Sequence, residues 1–341
     1  MRLTWITTLK TLLVISCLLS FVLLLGFFNE SKPRILVLHS GAEQSPWVQQ
    51  VDRGMRAALE ANRRPVTVEW IYMGVTAPAA GRAAGPAQAE AHRAIAREDP
   101  AVLIAVDDEA NELVARDYVG RQEPRILYVA LDRSPADYGY SGAPNVSGIA
   151  ERLPFTGVRD AITTLFPGRR PTVSIIGVDS ITGRAEMAQV RAFDWGPAEL
   201  TSTQLVATGS AWRDSVSAAS DSDVLVVLSC QDLPDGDGAV FTAADAAQWT
   251  QDNAKPLPIG TQVDFVANGG ALSFSPPPDD NGRKAVQLAL DWLDARQTPG
   301  PPAPVESAHF EVALRQGALA ERGVTLPAIY LEAARENGNL F

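Results

Sequence analysis

Cysteine and histidine are scarce in this chain: Cys17 and Cys230, with His39, His92 and His309, in 341 residues. Cys17 lies inside an apolar stretch, so no disulfide framework can form in the remainder. No Cys/His cluster for zinc and no H-E-x-x-H helix is present. His39 has no G-x-S-x-G elbow to serve, and no G-x-x-x-x-G-K-[ST] loop occurs. Serine hydrolysis and nucleotide hydrolysis therefore have no visible machinery. The run from Asp232 to Gly238 is acidic and Gly-rich, yet it lacks the spacing and closing Glu of a calcium loop, so it reads as a turn. Basic runs are missing after residue 33 and the net charge is −11, which excludes nucleic acid as a partner. No metal site and no cofactor is expected.

One long apolar run is present, and it is N-terminal. Thr11 to Phe28 is weakly polar to apolar, and Leu12 to Phe28 carries no charge. As a helix it would rise about 27 Å, close to the hydrocarbon thickness of a bilayer. Arg2 and Lys10 precede it and no acid occurs before Glu30, which puts residues 1–10 in the cytoplasm and the rest outside. The segment 14–17, Val-Ile-Ser-Cys, has the look of a lipoprotein box, but Leu18 to Phe28 continues the apolar run. The expectation is an uncleaved single-pass anchor over 11–28 in a bacterial inner membrane, with the C-terminal domain in the periplasm. Lipidation at Cys17, or a cleaved export signal, is the alternative. A short joint, Asn29 to Pro33, leads directly into a β-rich segment.

Roughly 310 residues follow, enough for two cores. Ile35 to Leu38, Val66 to Tyr72, Val102 to Val106 and Ile126 to Leu131 read as strands. Between them lie helix-like runs: Trp47 to Ala61, with Pro46 at its first position, Ala87 to Arg97, and Ala110 to Tyr118. That alternation implies a parallel, doubly wound sheet. Ser134 to Asn145 breaks it with turn residues, and a second series follows. Its strands are Val173 to Val178, Leu200 to Val206, Val224 to Leu228 and Pro258 to Gly260; Asp280 to Leu293 is a strong late helix. The expected organisation is an α/β fold of two doubly wound Rossmann-like lobes joined by a hinge, preceded by the transmembrane helix. The first lobe is expected over 34–146 plus about 277–300, the second over 147–276, and a C-terminal closing segment over 301–341. Ser147, Gly148, Gly269 and Gly270 are the expected hinge.

Several stretches carry a family likeness. They are Ile35 to Ser40 with Trp47 and Asp52-Arg-Gly54, Val102 to Asn111, Asn145 to Ile149, Leu165 to Gly168, Asp179 to Gly183, and Ala318 to Pro327. In this order they resemble the ABC transporter substrate-binding protein family, type I periplasmic binding protein-like, whose domain also serves as a sensor module in bacterial signalling proteins. The likeness runs from about Arg34 to the C-terminus. Sensor-type relatives often have Tyr-Met-Asp after the second strand, where this chain has Tyr72-Met73-Gly74. Transport relatives are usually soluble or lipid-tethered through a flexible linker, where this chain has a short joint after an apolar segment.

In open α/β sheets ligands bind beyond the carboxyl ends of the strands, and two such lobes can close on one ligand. The strand ends supply Ser40, Gln44, Trp47, Asp107, Asp108, Asn111 and Asp132 from the first lobe. Asp179, Thr182, Arg184, Gln231 and Asp264 come from the second. Asp108 and Asp179 also suit helix N-caps, and Trp47 shares a helical stripe with Val51, Met55 and Leu59. The resemblance implies a non-enzymatic solute-binding protein for ABC-type uptake, with a small organic ligand such as an amino acid and a membrane permease as partner. A sensory module signalling to a membrane kinase or cyclase stands beside it, and a hydrolase ranks below both.

Overall fold

The computed structural model describes residues 13–24, 32–75, 84–294, 300–307 and 309–341. Helix α1 spans 13–24 with exposed apolar side chains. The rest of the anchor expected over 11–28 lies outside the described residues, and no helix among the described residues is long and apolar enough to cross a membrane.

From residue 34 the chain builds two α/β units. The first has β1 (Arg34–His39), α2 (Pro46–Ala61), β2 (Thr67–Tyr72), α3 (Ala84–Glu98), β3 (Val102–Val106), α4 (Asp108–Leu113), β4 (Arg125–Leu131) and β5 (Val146–Ala150). The second has α5 (Phe155–Leu165), β6 (Thr172–Val178), α6 (Ile181–Ala192), β7 (Glu199–Val206), α7 (Gly209–Ala218), β8 (Val224–Val227), the ribbon β9 (Leu233–Pro234) and β10 (Val240–Phe241), α8 (Ala243–Asn253), β11 (Leu257–Gly260), α9 (Val263–Ala267) and β12 (Leu272–Ser275). The chain then returns with α10 (Pro278–Asp294) and β13 (Val305–Glu306), and finishes with β14 (Glu311–Leu314), α11 (Gln316–Glu321) and α12 (Ala328–Glu336).

The sheets are ordered β2-β1-β3-β4-β5-β13 and β7-β6-β8-β11-β12-β14. Neighbours are parallel throughout, except that β14 runs antiparallel to β12. Continuous apolar runs such as Val102–Val106 are buried along their whole length because helices cover both faces of each sheet. The strand order reverses between β1 and β3 in one lobe and between β6 and β8 in the other. Each reversal leaves a crevice at the carboxyl edge.

Three expectations change. The boundary placed at 146 falls inside β5, which pairs with β4 on one side and β13 on the other, so residues 147–150 belong to the first sheet. Ser147 and Gly148 are therefore sheet residues rather than hinge: Ser147 Oγ donates to Pro302 O, and a side chain at 148 would overlap Tyr128. Gly269 and Gly270 form the turn between α9 and β12, within the second lobe. The lobes are instead joined after β5, after β12 and between β13 and β14. The tail from 301, expected as one closing segment, is divided between the two sheets, because β13 completes one edge and β14 the other.

Candidate functional site

A cavity of about 420 Å³ lies between the carboxyl edges of the two sheets. Gly41, Ala42 and Gln44 to Val48 after β1, Asp107 after β3, Ala130 and Asp132 at the end of β4, and Glu151 line it from the first-lobe side. Thr182 of α6, Leu228 to Asp232 after β8, and Gln262, Asp264 and Phe265 line it from the other. Two backbone positions are unusual where the strands end. Asp107 has φ 74° and Ala130 φ 53°, and the β4–β5 register slips at Ala130. A non-glycine residue held at positive φ costs on the order of 1–3 kcal/mol, and such strain gathers at functional positions.

The lobes meet across this cavity through hydrogen bonds. Thr182 Oγ1 lies 2.9 Å from both Asp107 Oδ1 and Glu109 Oε2, and Thr182 N–H donates to Glu109 Oε1 at 3.3 Å. A hydroxyl has one proton to give, so serving two carboxylates requires one of them to carry a proton of its own. Trp47 N–H donates to Asp264 Oδ2 at 3.2 Å, and Gln189 Nε2 donates to Asp132 Oδ1 at 2.9 Å.

The site is acidic. Burial pushes Asp107 and Asp132 well above the ordinary carboxylate range, with further upward pushes from Glu109 and Asp108 on Asp107 and from Glu151 and Glu186 on Asp132. Burial likewise raises Glu109 to about 7, Glu151 to about 8 and Glu186 to about 7. Asp264 rises to about 6 through burial, opposed by the Trp47 N–H. The Cys230 thiol is also pushed up, by burial first and then by Glu186 and Asp264, so it stays a thiol at neutral pH. Carboxylate oxygens of Asp107, Asp108 and Asp132 lie within 4.8 Å of one another. Those of Asp108 are already taken by Tyr138 Oη–H and by the backbone N–H groups of Asp132 and Arg133, so the trio is poorly suited to coordinating an ion.

Of the twelve expected ligand residues, Gln44, Trp47, Asp107, Asp132, Thr182, Gln231 and Asp264 line the cavity. The other five do not. Ser40 is buried as a turn brace, accepting from Ala110 N–H and donating to Val106 O. Asp108 is a strut between α4 and the β4 end, and Asn111 is engaged with Ala105 O, Asp107 O and Tyr140 Oη–H. Asp179 and Arg184 pair with each other on the surface at 2.7 Å. Glu151, Ser229 and Phe265 line the cavity without having stood out in the sequence. Glu151 follows β5 directly, a strand end that a hinge reading had hidden; the carboxylate of Glu186, which accepts from Ser229 N–H and Oγ–H, comes from mid-helix and gave no local signal.

No protein-family model and no curated protein sequence matches the chain. Solved structures do. The ABC domain in complex with L-Trp from Streptococcus pneumonia superposes with TM-score 0.69 at 15% identity, over 91% of this chain and 100% of that one. A conserved domain protein from Vibrio cholerae gives 0.66 at 15%, over 89% and 98%. A leucine binding protein from Thermotoga maritima gives 0.53 at 15%, over 77% and 83%. The chain thus has the type I periplasmic binding protein-like fold expected from its sequence.

Proposed function

We propose that this chain, built on a binding-protein fold, is a non-enzymatic solute-binding protein whose two lobes close on a small organic ligand. The observation that carries this is the cavity itself. It sits where both sheets reverse their strand order, it is lined from both lobes, and the lobes are latched across it by Thr182, Trp47 and Gln189. Its volume lies within the range of small-molecule sites. Trp-binding and leucine-binding neighbours add support by fold analogy. The non-catalytic reading is supported by the lining: Cys230 is held as a thiol, and no histidine lines the cavity among the described residues.

The proposed setting is the periplasmic side of a bacterial inner membrane, anchored through 11–28, with an ABC-type permease as partner. A sensory role would use the same cleft. The short joint at 29–33 favours a partner fixed in the membrane, whether permease or signalling protein. Loss of solute uptake in a deletion strain would separate transport from sensing. The ligand-binding reading is tested by thermal-shift measurements on the full chain against amino acids, amines, sugars and organic acids. A ligand at a hundred times its Kd stabilises by about 2.7 kcal/mol, a readily measured rise in Tm. A panel in which no solute raises Tm overturns the reading.

A further inference from the structure

We infer that the ligand of this cleft is an organic cation bearing N–H donors, an ammonium or guanidinium compound without a carboxylate, rather than a free amino acid. The inference rests on the solute-binding reading above. Its first support is the sign of the lining. Asp107, Asp132, Glu151, Asp232 and Asp264 all line the cavity, and among the described residues no Lys, Arg or His does. The guanidinium groups nearest in sequence to the site are spent elsewhere, Arg133 on Glu112 at 3.3 Å, Arg152 on Glu306 at 3.1 Å and Arg184 on Asp179.

Helix N-termini are the other common receptors for a ligand carboxylate. Here the protein's own acids occupy them. Trp47 N–H at the start of α2 donates to Asp264, Asp108 N–H of α4 to Asp107 at 2.8 Å, Thr182 N–H of α6 to Glu109, and Ala243 N–H of α8 to Asp232 at 2.9 Å. An anionic group entering the cleft would find no fixed cation, and at each of these four helices an acid already bound to a first-turn N–H. It would also meet acids already crowded by burial.

An independent observation gives the polarity the ligand must supply. Asp264 Oδ1, Gln231 Oε1 and Gln262 Oε1 are buried without a hydrogen-bond partner, and all three residues line the cavity. Each unpartnered atom is an acceptor. A buried acceptor left unmet is costly, so the missing group is a donor. Asp132, only 6% exposed, spends Oδ1 on Gln189 and also faces the cavity. Trp47 and Phe265 supply aromatic surface, suited to an apolar body and to a cation over a ring.

The test pairs each amino acid with its decarboxylated amine: L-tryptophan with tryptamine and L-arginine with agmatine, with indole-3-acetate, ribose and calcium chloride as controls. Calorimetry and thermal shift are run on the full chain and on Asp264→Asn. The expected result is at least one amine binding tenfold or more tighter than its parent amino acid, with that preference reduced at least tenfold in Asp264→Asn. Amino acids that bind as tightly as their amines overturn the inference, as does stabilisation by ribose, indole-3-acetate or calcium alone, while the binding function survives the organic-solute cases. Absence of binding by every organic probe overturns the inference and counts against the binding function itself.

Discussion

Thr182 is the residue on which the two lobes converge, and its hydroxyl serves Asp107 and Glu109 together. Thr182→Val keeps the shape and removes the proton. It leaves Asp107 without a partner across the cleft and Glu109 with only the Thr182 backbone N–H, so urea unfolding is expected to show a loss of about 1–3 kcal/mol. An unchanged midpoint would mean that the latch does not hold the lobes. Tyr138→Phe should cost a similar amount, because Tyr138 Oη–H is one of three donors that hold the buried Asp108. It should leave ligand affinity alone, since Asp108 does not line the cavity. Asp179→Ala removes only an exposed ion pair, so both stability and affinity should stay within about 1 kcal/mol of the parent. Asp108 and Asp179 look equivalent in sequence, each an acid just beyond a strand. Only the neighbours brought in from afar separate a buried strut from a surface pair.

At the scale of elements, α2 and α10 pack along one another because glycines stand at their contact. A Cβ at Gly54 would overlap the Asp279 carbonyl, and one at Gly282 would overlap Val51 O. Gly54→Ala must push the helices apart, and a loss of about 1–3 kcal/mol or more is expected in denaturant unfolding. A variant as stable as the parent would show that the helices can separate freely. The sequence marked Asp52-Arg-Gly54 by likeness alone; the backbone contact supplies the reason for the glycine. Elements with strong local signals were legible: Val102–Val106 matches its expected bounds, and Pro46 opens α2. The ribbon β9–β10 was not, being two residues on each side. Nor were β13 and β14, whose identity as strands depends on partners distant in sequence: Val305 pairs with Ile149, and Leu272 with Leu314.

Across the whole molecule, the dominant electrostatic fact is a set of carboxyl groups buried where the lobes meet. Glu109, Glu151 and Glu186 are raised by burial to about 7, 8 and 7, from an ordinary value of 4.5. The folded chain therefore keeps protons that the unfolded chain has released. Their contribution to stability is complete below about pH 4.5 and is lost as pH rises through about 7 to 8. Melting of the ligand-free chain is expected to occur at lower temperature at about pH 8.5 than at about pH 5.5. A Tm that climbs over that interval would show that these acids are ionised and well partnered in the fold. An ammonium in the cleft favours the ionised acids, so amine affinity should rise over the same range.

The sequence by itself determined the two α/β series, the strand ends from which the cleft is built, and an acidic chain with almost no histidine or cysteine. These follow from local pattern and composition, which need no knowledge of neighbours. The tertiary structure decided which acids face the cavity and which act as struts, that Ser147 and Gly148 are sheet residues, and that the first turns of α2, α6 and α8 each give an N–H to a carboxylate from another segment. Asp264 meets Trp47 across 217 positions and Thr182 meets Glu109 across 73. Such pairings are set by how two sheets are placed edge to edge, a relation that no stretch of the chain carries alone.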